Sequence, residues 1–155
     1  MSAFDAEQEL RVEDEHAPAE AAIAPLHPSD APRMVIVEDA PLIALDLAET
    51  MRELGFNVCA TAFTHEQARA EIDRWAPQFA IVDLHLGVGE NDLRKGEALL
   101  ALLNERGCRC LVFSGDEEAC GRLAGRYPHF SVLSKPAQPD RLVREIQKLR
   151  LRDAG

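Results

Sequence analysis

Asp83 closes a short apolar run, Phe79-Ala80-Ile81-Val82, and is followed by Leu84-His85-Leu86. An acidic pair, Glu38-Asp39, closes an earlier run of the same kind, Met34-Val35-Ile36-Val37. A third run, Val132-Leu133-Ser134, ends in Lys135-Pro136. If the three runs are parallel strands of one open α/β sheet, their carboxyl ends share an edge, the place where such sheets build sites. Three carboxylates and one lysine would then meet in a small volume. Clustered carboxylate oxygens suit a hard cation such as Mg2+, and a carboxylate beside that cation can accept a phosphoryl group.

The elements needed to hold that arrangement are legible from Met34 onward. After a first strand at 34–38, Pro41 sits where an opening helical turn tolerates proline. Ile43, Leu47, Met51 and Leu54 then recur at helical spacing, with Gly55 as a stop. Val58 to Ala62 reads as a second strand. Thr64-x-x-Gln67 is a capping box that opens a second helix, with Ala68, Ile72 and Trp75 on one face and Pro77 as its breaker. Residues 79–83 are the third strand. A glycine-containing loop over 84–95 precedes a third helix with Leu99, Leu100, Leu102 and Leu103, which Gly107 ends. Cys110 to Phe113 is a fourth strand, Asp116 to Arg126 a short fourth helix interrupted by glycine, and Phe130 to Ser134 a fifth strand. Pro139 starts a last helix that buries Leu142, Val143, Ile146 and Leu149. Five strand–helix units predict an α/β, doubly wound, five-stranded parallel sheet with five helices on its two faces.

The chain has 155 residues, 46% hydrophobic and 28% charged, which suits one globular domain. Its net charge of −10 disfavours direct DNA binding, which relies on clustered Lys and Arg. No apolar stretch approaches the roughly 20 residues needed to span a bilayer, and no secretory signal is visible, so the expectation is a cytoplasmic protein without membrane contact. Residues 1–32 form an acidic leader rich in Pro and Ala. Over residues 1–33 there are eight acidic residues against two basic ones, and disorder is expected there. The folded domain is expected over 33–155. Cys59, Cys108, Cys110 and Cys120 lack zinc-site spacing and read as reduced thiols.

Glu38-Asp39, Asp83, Ser114 and Lys135-Pro136, each at its place in a (βα)5 chain, resemble the receiver domain of two-component response regulators. That resemblance implies the flavodoxin-like receiver fold. It implies that Asp83 is the phosphoacceptor, taking a phosphoryl group from a sensor histidine kinase or phosphotransfer protein. It implies Mg2+ held by Glu38, Asp39, Asp83 and the backbone carbonyl of His85, with Ser114 and Lys135 contacting the phosphoryl oxygens. Catalysis would extend at most to the protein's own phosphorylation and dephosphorylation. With no further domain after the last helix, a stand-alone receiver acting on a downstream protein target is expected.

The departures from that pattern matter. The switch position three residues before Lys135, often Tyr or Phe in receivers, is Val132, and Ala137 stands where Phe commonly follows Lys-Pro. Val112-Phe113-Ser114-Gly115 is similar to the Phe-Ala-Thr-Gly-Tyr signature of single-domain receivers only in its Ser-Gly step, with Asp116 in place of Tyr. The alternative reading is a binding module on a receiver fold that signals without phosphorylation. A haloacid-dehalogenase-like phosphatase would want a second Asp two residues after the nucleophile, where this chain has His85. A P-loop is absent. The His85 ring is read as an ordinary loop side chain, and the scattered His27, His65 and His129 as unrelated to metal.

Overall fold

The computed structural model describes residues 30–87 and 91–152. Apart from its last residues, the acidic leader lies outside the described residues, and so does Gly89 of the glycine-containing loop. Among the described residues strands and helices alternate: β1 (Arg33–Val37), α1 (Pro41–Glu53), β2 (Asn57–Ala62), α2 (His65–Trp75), β3 (Phe79–Asp83), α3 (Asp92–Glu105), β4 (Arg109–Ser114), α4 (Glu117–Arg126), β5 (Ser131–Ser134) and α5 (Pro139–Leu151). The sheet order is β2-β1-β3-β4-β5, and every neighbouring pair is parallel. This is the flavodoxin-like order with its switch point between β1 and β3.

The alternation of side chains along each strand sorts the core into two layers. Met34, Ile36, Phe79, Ile81, Leu111 and Leu133 face Leu47, Ala48 and Met51 of α1 and Leu142, Ile146 and Leu149 of α5. Val35, Val37, Ala80, Val82, Cys110 and Val112 face the other way, toward Ala68 and Ile72 of α2, Leu99, Leu100 and Leu103 of α3, and Ala119 and Leu123 of α4. All five residues of the central β3 are buried. Two-sided burial explains why the central strands read as unbroken apolar runs rather than as alternating ones.

Local signals set the helix ends. The Thr64 side chain accepts from the Gln67 amide, and Gln67 Oε1 accepts in return from the Phe63 amide, so the predicted capping box is present one residue wider than the usual form. Asp116 caps α4 by accepting from the Ala119 amide at 2.9 Å. Gly55 and Gly107 take φ of +92° and +70°, the left-handed turns that end α1 and α3. Cys59, Cys108, Cys110 and Cys120 are all free thiols, and only Cys59 is not buried.

The third helix departs from the sequence reading. It starts at Asp92, so the loop expected to run to 95 is shorter and Gly96 lies inside the helix. Gly96 is there for space. A Cβ at that position would lie 2.5 Å from the Leu84 carbonyl oxygen, so α3 rests directly on the backbone that follows Asp83. Gly125 of α4 has nothing within 4 Å of the same construction. Gly96→Ala is therefore expected to lower stability by about 1–3 kcal/mol through overpacking. Gly125→Ala should raise it by up to about 1 kcal/mol through helix propensity. Denaturant midpoints of the two variants check this, and equal shifts of the same sign would contradict it.

Candidate functional site

Each candidate residue sits at or just past the carboxyl end of a strand, held by hydrogen bonds that continue the ladder. The Glu38 amide donates to Ala62 O at 2.9 Å, and the Lys135 amide to Ser114 O at 2.8 Å. Asp83 pairs in register with Phe113, and Ser114 with Ser134. The parallel registers of β1, β3, β4 and β5 thus bring residues nearly 100 positions apart to one edge.

Glu38, Asp39 and Asp83 each offer a carboxylate oxygen, and the three oxygens lie within 4.8 Å of one another. Glu38 and Asp83 are buried and Asp39 is exposed. Lys135 Nζ donates to Asp83 Oδ2 at 2.9 Å and to Glu38 Oε1 at 3.2 Å. The second oxygen of Glu38 accepts from the Ala40 amide, 3.3 Å away, at the start of α1. Oδ1 of Asp83 accepts from the His85 amide at 3.2 Å. Ser114 is fully buried, and its Oγ accepts from the Asp116 amide at 3.1 Å. Val132 lies on β5, half-buried against the α2–α4 layer, so no ring stands at that position.

Desolvation and charge together explain the titration behaviour. Partial desolvation, followed by the hydrogen bond and negative charge of Glu38, raises the carboxyl of the largely exposed Asp39 above its ordinary value, and a backbone hydrogen bond and Lys135 only partly offset this. Burial acts to lower the Lys135 ammonium, but its hydrogen bonds and attraction to Asp83 and Glu38 prevail, leaving it raised. The lysine therefore stays charged until strongly alkaline pH. Three convergent carboxylates fit Mg2+, which takes oxygen ligands and keeps several waters.

A second polar chain was not anticipated. The His85 ring lies with Nδ1 3.0 Å from Asp92 Oδ2 and Nε2 3.6 Å from Asp116 Oδ2. Asp92 Oδ1 also accepts from the Leu86 amide at 3.1 Å, and His65 Nε2 stands 3.7 Å from that same oxygen. The His85 ring, read from the sequence as an ordinary loop side chain, makes contacts that reading did not include. His85 bridges the first turns of α3 and α4, and His65 of α2 faces the same carboxylate. No spacing signal could have paired residues whose contact depends on where α2, α3 and α4 begin.

The raised pKa of Asp39 has a consequence in the metal-free protein. Folding makes Asp39 bind protons more tightly, so stability falls as pH rises through the range above its ordinary value. Asp39→Asn removes that cost, and the gain is small because Asp39 is open to solvent. Thermal midpoints should show the variant slightly more stable than wild type at pH 7, with the difference closing toward pH 4. A difference that widens on acidification would contradict the assignment.

Neither a family model nor a curated protein sequence matches the chain. Solved structures do. The response regulator PhyR from Brucella abortus superposes with a TM-score of 0.63 at 27% identity, over 77% of this chain and 47% of that one. The receiver domain of PhyR from Erythrobacter litoralis gives 0.61 at 24% identity, covering 77% of this chain and 90% of the domain. The receiver domain of HemR from Leptospira biflexa gives 0.64 at 18% identity, over 79% and 96%. The chain spans about half the length of the Brucella PhyR structure and nearly all of the isolated receiver domains. Strand order, helix placement and these superpositions lead to one conclusion: the described residues have the receiver fold and are similar to the receiver domains of response regulators.

Proposed function

We propose that the protein is a phosphoacceptor that takes a phosphoryl group from the phosphohistidine of a sensor kinase or phosphotransfer protein onto Asp83. The observation that carries this reading is the convergence of Glu38, Asp39 and Asp83 within 4.8 Å with Lys135 bonded to two of them. Glu38, Asp39, Asp83 and the His85 carbonyl would hold Mg2+, which screens the charge of the incoming phosphoryl group when bound. An Asp83 oxygen forms the new bond to phosphorus as the bond from phosphorus to the donor imidazole breaks. Lys135 then exchanges its carboxylate partners for a phosphoryl oxygen, keeping a charge-assisted bond throughout. Ser114 turns its hydroxyl proton toward a second phosphoryl oxygen while still accepting from the Asp116 amide.

The leader over 1–32 is proposed to be dispensable for this chemistry, with the domain over 33–155 sufficient. The signal would leave by protein contacts, in keeping with the acidic balance of the chain. A docking surface for the donor is supported by the start of α1, where Leu42 is 81%, Ile43 49% and Leu45 54% exposed a few residues beyond Asp39. Apolar side chains this exposed beside a charged pocket suit the apolar face of a partner helix.

Intact mass after exposure to acetyl phosphate with Mg2+ tests the chemistry. One hydroxylamine-labile phosphoryl group is expected, absent without a divalent cation and absent in Asp83→Asn. Full labelling of Asp83→Asn would overturn the assignment, and no labelling of wild type would favour a binding module that signals without phosphorylation. Leu42→Asp should leave labelling by acetyl phosphate intact and slow transfer from a phosphohistidine protein by about tenfold, a loss of about 1.4 kcal/mol in the encounter. Equal slowing with both donors would place Leu42 in the chemistry rather than in docking.

A further inference from the structure

Successive amides of the segment after Asp83 are held by two different carboxylates. The His85 amide donates to Asp83 Oδ1 at 3.2 Å, and the Leu86 amide donates to Asp92 Oδ1 at 3.1 Å. The second bond bears on the site because of peptide geometry. The Leu86 N–H and the His85 C=O belong to one planar trans peptide, so they point in opposite directions. Whatever fixes the N–H therefore aims the carbonyl.

Asp92 is built for that task rather than for its own helix. It is the first residue of α3, yet its carboxylate turns back to the preceding loop, while Asn91 before it makes no side-chain capping bond. Its side chain is 10% exposed. The carboxylate's other oxygen is held as well: His85 Nδ1 lies 3.0 Å from Oδ2, while His65 Nε2 stands nearby, 3.7 Å from Oδ1. The helix carrying it packs closely on that segment, since a Cβ on Gly96, one turn on, would lie 2.5 Å from the Leu84 carbonyl oxygen. A buried carboxylate on a closely packed helix makes a well-placed acceptor.

We propose that Asp92 is a positioning residue for the cation site: by gripping the Leu86 amide it orients the His85 carbonyl as a metal ligand. The inference rests on the reading of that carbonyl as a ligand given above. Partners of this kind, one bond removed from a metal, are worth roughly 10- to 100-fold in affinity.

The test is Mg2+ titration of the full chain, followed by amide NMR shifts, on wild type, Asp92→Ala, Asp92→Asn and Glu38→Gln. Asp92→Ala should bind Mg2+ about 10- to 100-fold more weakly, with its melting midpoint near that of wild type. Asp92→Asn keeps an oxygen for the Leu86 amide without the charge, so it should recover most of the affinity. It should also keep the downfield Leu86 shift that Asp92→Ala loses. Wild-type affinity in Asp92→Ala would overturn the proposal. Equal weakening in the Ala and Asn variants would also overturn it, since long-range charge would then be the cause. If Glu38→Gln binds Mg2+ as wild type does, the cation lies elsewhere, and both the site and the role of Asp92 fall. If Glu38→Gln fails and Asp92→Ala does not, the site stands and only the positioning role is lost.

Discussion

Mutual repulsion among three carboxylates is the constraint around which this domain is arranged. Glu38, Asp39 and Asp83 gain nothing from one another in the metal-free state, and two of them are buried, where the cost of an unpaired charge is greatest. Lys135 offsets part of that cost by bonding to the two buried members, while the exposed Asp39 has no such partner among the described residues and its carboxyl is raised above its ordinary value, by desolvation first and then by Glu38. The division makes physical sense. The unpaired charge is placed where water can solvate it, and the buried charges are paired. The same sheet edge that concentrates negative charge thus supplies its own counter-ion from β5, the last strand of the chain.

Neutralising the pocket with a lysine also prepares it for exchange. Under the proposed function, a cation at the carboxylates and a phosphoryl group at Asp83 would both need Lys135 to loosen its present contacts, and its 30% exposed side chain has room to do so. Ser114 has less freedom. It is fully buried and tied to the Asp116 amide, which also opens α4. A change at Ser114 is therefore felt directly at the α4 cap, while Val132 offers no ring whose rotation could report it. The His85 ring adds a second tie between the loop after Asp83 and the same Asp116.

Most of the frame could be read from residue order. Asp83, Glu38-Asp39 and Lys135 stand out because each interrupts an apolar run, and a parallel sheet leaves little choice about where strand ends meet. The two-layer core follows from alternation along β1, β3 and β4. Two features resisted. The start of α3 was misjudged because Gly87, Gly89 and Asn91 mark a loop and Gly96 prolongs that impression until its close approach to Leu84 gives the glycine a packing reason. The tie among His65, His85, Asp92 and Asp116 was missed because it joins three helix starts whose spacing is set by tertiary packing. No local periodicity encodes such a contact, and each residue alone has an ordinary explanation at a helix end.

The sheet that divides the core into two layers also divides the domain's capacity for change. Among the described residues, the buried apolar side chains under α1 and α5 form one cluster and those under α2, α3 and α4 another, so substitutions on opposite faces should act nearly independently. The acidic edge alone draws on both layers, since Glu38 and Asp39 lead into α1 while Asp92 and Asp116 open α3 and α4. Such a partition lets lineages remodel one flank for a new interlocutor while the other flank and the shared edge are inherited intact. A scaffold of this kind can diversify in what it speaks to without relearning its chemistry.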